Sequence, residues 1–255
     1  MARKHRDVMR ILIADIVSGV RPAGDMLPRE VDLAAEFDVS RGVARETIRA
    51  MEERRLISVK HGKGATINEA DDWDVFDPDV LAATLDSERG SEVLAEYLEC
   101  RRILEVEAAG LAAERAAKRD VANLTAAMHH MEEATARPPS QAAEERFHEA
   151  DIAFHQALIA ATGNRALGGL VERIHSALLL ARFPLARPDY REEIALPEHR
   201  RILEAVTSGD SSGARQAMSD HLDTIAGYLD EHRGAKRAAP RSRRRAAGAG
   251  AASSS

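Results

Sequence analysis

Asp151 and His155 stand four residues apart, so a helix that carries both presents them on one face. His199 and His221 lie in two later stretches that read as separate helices. Three imidazoles with one carboxylate make a donor set that suits zinc, nickel, manganese or iron, and three helices of a bundle can bring such groups to one point. Ten histidines are spread through the chain, so the spacing alone also fits a chance Asp-x-x-x-His pair. A different chemistry is written near the N-terminus. Arg41, Arg45 and Arg49 recur every four residues behind Ser40, a good helix N-cap, and arginines at the start of such a helix reach base edges when it enters a major groove. The run His61-Gly62-Lys63-Gly64 offers glycines that let backbone approach sugar-phosphate, a lysine, and an imidazole slim enough for a minor groove. Alone, an arginine stripe is a solvated helix face and a glycine-rich tip is a turn; in this order they read as one DNA-reading unit.

Periodicity supplies the elements that must hold these residues. It predicts helices over 6–18, 30–37 and 41–54, the first stopped by Gly19, and short strands over 56–60 and 65–68 around the glycine-rich tip. Residues 1–70 thus have the pattern of a winged helix-turn-helix. Residues 71–90 form an acidic linker in which Asp77 caps a short helix to Leu85, with Pro78 at its first position. Trp73 and Phe76 are placed there to latch head to body. Beyond the linker, amphipathic stretches alternate with breakers such as Arg137-Pro138-Pro139-Ser140 and Gly163-Asn164. They predict helices near 92–117, 120–136, 141–162, 164–182, 190–208 and 210–232. The expected fold class is mainly α: an N-terminal winged helix-turn-helix plus a C-terminal antiparallel all-α helical bundle over 91–233. The tail over 234–255, with Arg241, Arg243, Arg244 and Arg245 among Ala, Gly and Ser, is too polar and simple to pack and is expected to be disordered.

Composition narrows the functions open to such a chain. Among 255 residues a single cysteine, Cys100, excludes an internal disulfide framework and a cysteine-based zinc cluster. No apolar run nears the ~18 residues of a membrane span, so the expectation is a cytoplasmic protein with no membrane partner. The net charge of -6 hides a division. Residues 1–70 carry 13 Lys/Arg against 11 Asp/Glu, residues 71–231 carry 16 against 31, and residues 232–255 carry seven basic residues and no acid. A phosphate backbone is repelled by the middle of this chain and approached by its ends.

The head is recognisable. Ile16-x-Ser18-Gly19-x-x-x-x-Gly24-Asp25-x-Leu27-Pro28-x-Glu30-x-x-Leu33-Ala34, followed by Val39-Ser40-Arg41-x-x-x-Arg45-Glu46 and His61-Gly62-Lys63-Gly64, resembles the DNA-binding head of GntR-type transcription regulators, and the linker resembles that of their FadR branch. The resemblance implies that Arg41 and Arg45 contact bases and phosphates, that Ser40 anchors backbone, and that His61 and Gly62 sit in the minor groove. Arg49 and Lys63 extend the same surface. Some positions depart from the pattern. Val31 stands where the FadR branch often has a DNA-contacting arginine, with Arg29 as the neighbouring substitute, and Gly42 and Val43 replace polar contacts. Asp38 and Arg55 occupy places where glycine with positive φ is usual; an arginine there costs ~1 kcal/mol.

The body is similar to the metal-binding form of the FCD effector domain, through Asp151-x-x-Phe154-His155, Gly163-Asn164, Glu198-His199-x-x-Ile202-x-x-Ala205, Gly209-Asp210, Ala214, Met218 and His221-Leu222. By that resemblance Asp151, His155, His199 and His221 are the ligands of a divalent ion, zinc first and nickel, manganese or iron next. Arg101 matches the family's pocket arginine, with Arg102 as its rival, and Asn164 either lines the pocket or caps the following helix. The implied protein is not an enzyme. It is a homodimeric regulator, a repressor in the first instance, that binds double-stranded operator DNA and responds to a small carboxylate: a sugar acid, hydroxy acid or dicarboxylate. Two other readings stand beside it. A metal-dependent hydrolase with an accessory DNA-binding domain lacks a His-Glu-x-x-His run or a nominated general base. An acyl-CoA-responsive regulator without metal has no use for four intact ligands.

Overall fold

The computed structural model describes residues 2–60, 62, 64–180 and 191–238. His61 and Lys63 of the wing tip therefore lie outside the described residues. In the head, α1 (Ala2–Val17), α2 (Glu30–Glu36) and α3 (Arg41–Glu53) pack through Leu12, Ile13, Leu33 and Met51, all almost wholly buried. Ser40 caps α3 by accepting a hydrogen bond from Val43 N at 3.3 Å. The wing is an antiparallel pair, β2 (Ile57–Lys60) and β3 (Gly64–Ile67), with Ile57 opposite Ile67 and Lys60 opposite Gly64. A third strand, β1 (Met26–Leu27), pairs with the other edge of β3 and draws Leu27 into the core. Two residues show no alternation, which is why periodicity misses this strand. Val31, apolar but 49% exposed, does not join Leu33 and Ala34 in packing α2. Asp38 and Arg55 do adopt positive φ, 48° and 58°, at the two turns that bracket α3.

The linker binds to both halves. After a single 3-10 turn at Ala70–Asp72, Asp77 caps α4 (Pro78–Leu85) by accepting from Asp79 N and Val80 N at 3.0 and 3.1 Å. Adjacent residues of α4 enter different cores: Val80 and the nearby Trp73 pack into the head core, while Leu81 and Phe76 pack with Tyr97, Ile174 and Ala177 of the body. Arg54, at the end of α3, pairs with Asp77 at 3.1 Å and Asp79 at 3.5 Å. On the other side Arg173 lies 3.4 Å from Asp74 and over the Phe76 ring.

The body contains α5 (Gly90–Arg115), α6 (Lys118–Thr135), α7 (Gln141–Ala161), α8 (Arg165–Leu180), α9 (Leu196–Ser208) and α10 (Ser211–Ala238). Phe154, Leu158, Leu124, Met131, Ile202 and Met218 fill its core. Ala109 and Ala112 of α5 and Ala214 of α10, all fully buried, join the same core and let those two helices approach closely. The helix expected over 190–208 is divided: Arg191–Ala195 forms a π turn, and α9 starts at Leu196 with Pro197 in its first turn, where a missing N–H costs little. The tail expected to be disordered from Gly234 is helical through Ala238, as the continuation of α10. Residues 239–255 lie outside the described residues. Among the described residues no helix is long and apolar enough to cross a membrane.

The elbow between α4 and α5 depends on one glycine. A Cβ at Gly90 would lie 2.1 Å from the backbone oxygen of Leu85, and backbone cannot yield as a side-chain tip can. Gly90→Ala is therefore expected to destabilise the protein by about 1 to 3 kcal/mol. Denaturant unfolding measures this, and an unchanged midpoint would show that the elbow relaxes freely.

Candidate metal centre and nucleic-acid interface

Helix α7 places Asp151 and His155 one turn apart, α9 brings His199 and α10 brings His221. One ligating atom from each of the four lies within 4.8 Å of all the others. The three imidazole rings have centroids 4.4 to 5.4 Å apart and are no more than 1% exposed. The Nδ1 atom of each ring meets an oxygen. His199 Nδ1 donates to the Ala195 carbonyl at 2.7 Å, His221 Nδ1 to Glu198 Oε2 at 2.9 Å, and His155 Nδ1 lies 2.7 Å from Glu105 Oε2. With the proton on Nδ1, each ring presents a lone pair at Nε2.

Those three Nε2 atoms are buried and have no hydrogen-bond partner. The nearest contact is His199 Nε2 to Asp151 Oδ1 at 3.1 Å, a lone pair facing a carboxylate, which only a positive charge satisfies: a proton on the ring or a metal ion between the two. Burial pushes the His155 and His221 pKa values down, and the neighbouring imidazoles push His221 down further, so both stay in the neutral form that ligates. Burial alone would raise Asp151, but His199 at 3.1 Å and the surrounding imidazoles outweigh it and hold the carboxyl below the usual carboxylate range. Three imidazole nitrogens and one carboxylate oxygen fit a divalent transition metal.

Behind His155 lies a group that sequence reasoning missed. Glu105, on α5 and fully buried, receives Arg101 Nε at 2.6 Å and His175 Nε2 at 2.9 Å on one oxygen and Arg101 Nη2 at 3.3 Å on the other, which His155 Nδ1 also approaches to 2.7 Å without hydrogen-bond alignment. Burial would raise its pKa, yet Arg101 and the two imidazoles hold it well below the usual carboxylate range. Glu105, His155 and His175 form a second cluster of metal-ligating types among the described residues, but the Arg101 guanidinium already fills the cation's place beside the carboxylate. His148 Nε2, His155 Nδ1 and His175 Nδ1 are further buried nitrogens at this centre without a hydrogen bond.

The remaining effector candidates separate. Arg101 is buried at this centre, whereas Arg102 is on the exposed face of α5 and pairs with Asp223. Successive residues diverge by 100° around a helix, and here Arg101 takes the inward direction. Asn164 is exposed and accepts from Ala166 N and Leu167 N at 3.2 Å, so its side chain is engaged as the cap of α8. In the head, Arg29, Arg41, Arg45 and Arg49 are exposed, and Arg49 makes a loose 3.7 Å contact with Glu46. Gly62 is exposed with φ 75°, a left-handed turn conformation that suits glycine.

These placements predict unequal costs. Arg101→Met strands a buried carboxylate and should destabilise the protein by about 3 to 5 kcal/mol. Arg102→Met breaks a surface pair and should cost no more than about 1 kcal/mol. Equal unfolding midpoints for the two variants would contradict the burial assigned to Arg101.

Residues 4–67 match the family of bacterial regulatory proteins, gntR family, and residues 96–224 match the FCD domain. The chain is 32% identical to the galactonate operon transcriptional repressor of Escherichia coli over 79% of its own length and 86% of that protein. It is 31% identical to the HTH-type transcriptional regulator LutR of Bacillus subtilis over 85% of its length and 99% of that protein. In fold it is similar to the solved structure of Lar from Listeria monocytogenes, with a TM-score of 0.61 at 22% identity, covering 88% of this chain and 96% of that one. The curated relatives are named as transcriptional regulators, which removes the hydrolase alternative. The chain belongs to the GntR family of DNA-binding, non-enzymatic transcription regulators, with an FCD domain behind its winged helix-turn-helix head.

Proposed function

We propose that this protein is a homodimeric repressor whose affinity for operator DNA changes when a small carboxylate binds at a divalent ion held by Asp151, His155, His199 and His221. The observation that carries the effector half is the convergence of three buried, unpartnered Nε2 atoms on one carboxylate. Zinc suits this set best, with nickel, manganese or iron as alternatives. When bound, such an ion supplies a Lewis-acidic anchor with open positions for a carboxylate oxygen. Everything else at the site is done by the chain itself. Glu105, Ala195 and Glu198 orient the imidazoles, and Arg101 sets a guanidinium beside them. Sugar acids, hydroxy acids and dicarboxylates are the class that fits, and the name of the galactonate operon repressor favours a sugar acid. Charged and imidazole groups buried at the centre of the bundle are a poor lining for an acyl chain, which argues against an acyl-CoA effector.

The DNA half rests on Ser40 capping a helix whose Arg41, Arg45 and Arg49 are exposed, next to Gly62 in the wing turn. One head reads one half-site, so a two-fold operator calls for two copies of the chain. Because α4 packs into head and body at once, a shift in the body is felt by the head.

Two outcomes test this reading. Arg45→Ala should weaken operator binding by about 1 to 3 kcal/mol at fixed salt without altering metal content; unchanged affinity would remove Arg45 from the interface. The double variant His199→Ala, His221→Ala should lose stoichiometric metal, still bind operator, and no longer respond to a carboxylate that releases the wild type. A ligand shifts an equilibrium only through its differential affinity for the two states. Metal analysis paired with operator titrations reads both, and a variant that keeps its metal, or loses it and keeps the full response, would refute the proposed ligands or their role.

A further inference from the structure

Glu105 touches both halves of the effector site. Its carboxylate meets His155, which is one of the proposed metal ligands, and Arg101, the guanidinium nearest those ligands on α5. The charged groups of the described elements at this centre are Arg101 and Glu105 on α5, Asp151 on α7 and Glu198 on α9: one cation against three carboxylates. His148 and His155 of α7, His175 of α8, His199 of α9 and His221 of α10 complete the set as imidazoles. A carboxylate entering this protein without metal meets a net negative surrounding. Among the described residues at this centre, the guanidinium that would attract it, Arg101, is already joined to Glu105 through two of its nitrogens.

We infer that Glu105 makes carboxylate binding at this site depend on the metal ion, because it orients His155 toward the ion and at the same time neutralises the arginine that would otherwise hold an anion unaided. The inference rests on the metal reading above. It separates two roles that a merely structural carboxylate would not separate. Glu105→Gln keeps the size of the side chain and removes its charge. His155 then loses its ionic acceptor, and outer-shell partners of this kind typically contribute 10- to 100-fold in metal affinity. Arg101 loses its counter-charge, and one fewer negative charge within several ångströms of an anion is worth about tenfold or more at an effective dielectric near 20.

The test is calorimetric titration of the full chain, first with zinc and then, on zinc-saturated and zinc-free protein, with acetate and malonate as probes. Wild type should bind one zinc per chain, and acetate only when zinc is present. E105Q should bind zinc roughly 10 to 100 times more weakly, yet once saturated should bind acetate about tenfold more tightly. R101M/E105Q deletes both charges and leaves no unpaired one behind, so it also covers the case in which E105Q fails to fold. It should show the same zinc loss and no gain for acetate. Wild type without stoichiometric zinc would overturn the metal reading itself. Zinc binding by wild type, joined with wild-type zinc affinity in either variant, weakened acetate binding by E105Q, or equal acetate binding by zinc-free and zinc-loaded wild type, would overturn the role of Glu105 alone.

Discussion

A buried nitrogen lone pair with no partner costs roughly 1 to 3 kcal/mol, and this helical body gathers three of them at one point. In each ring the opposite nitrogen lies against an oxygen, through a hydrogen bond in His199 and His221 and a 2.7 Å contact in His155. The anchors come from different places: Glu105 from α5, the Ala195 carbonyl from the π turn, and Glu198 from α9. The π turn is thus more than an irregular start to a helix, since its last carbonyl receives the His199 proton and turns Nε2 toward Asp151. A core filled by Phe154, Leu158 and Ile202 surrounds the group, and in such a low-dielectric setting unpaired polar atoms cost most. The polar cluster and the apolar packing therefore require each other.

The same economy joins the two halves of the molecule. Residues 80 and 81 of one short helix enter two different cores, so α4 cannot move relative to one half without disturbing the other. Ion pairs fix its flanks, Arg54 with Asp77 on the head side and Arg173 with Asp74 on the body side. Charge works in the same direction at longer range. The acidic middle of the chain is repelled by nucleic acid, which agrees with the proposal that DNA meets the exposed arginines of α3.

Much of this was legible in the sequence, for reasons that can be named. Asp151 and His155 share a helical face, and the Ser40 to Arg49 stretch carries both its cap and its periodicity, so local rules suffice. His199 and His221 came from resemblance, because nothing local tells a ligand from a packed histidine. Asn164 had two readings, and the capping one describes where its oxygen goes. Glu105 was hidden because an Arg and a Glu four apart look like an ordinary surface pair. The signal was present all the same: Leu94, Tyr97, Arg101, Glu105, Ala108 and Ala112 recur at helical spacing, and two charges inside an apolar stripe must be buried together. Strand β1 and the π turn were out of reach, since both are set by tertiary contacts rather than by their own few residues.

At the centre of the proposed function is a cation at the point where the Nε2 atoms of His155, His199 and His221 face Asp151. The most direct measurement is a crystal structure of zinc-equilibrated protein with diffraction data collected on both sides of the zinc absorption edge. One strong anomalous peak per chain, bonded to all four side chains, with Glu105, Ala195 and Glu198 still on the Nδ1 atoms, is the predicted result. A map with no peak there, or with zinc held elsewhere while the three imidazoles hydrogen-bond to one another or to water, would contradict it.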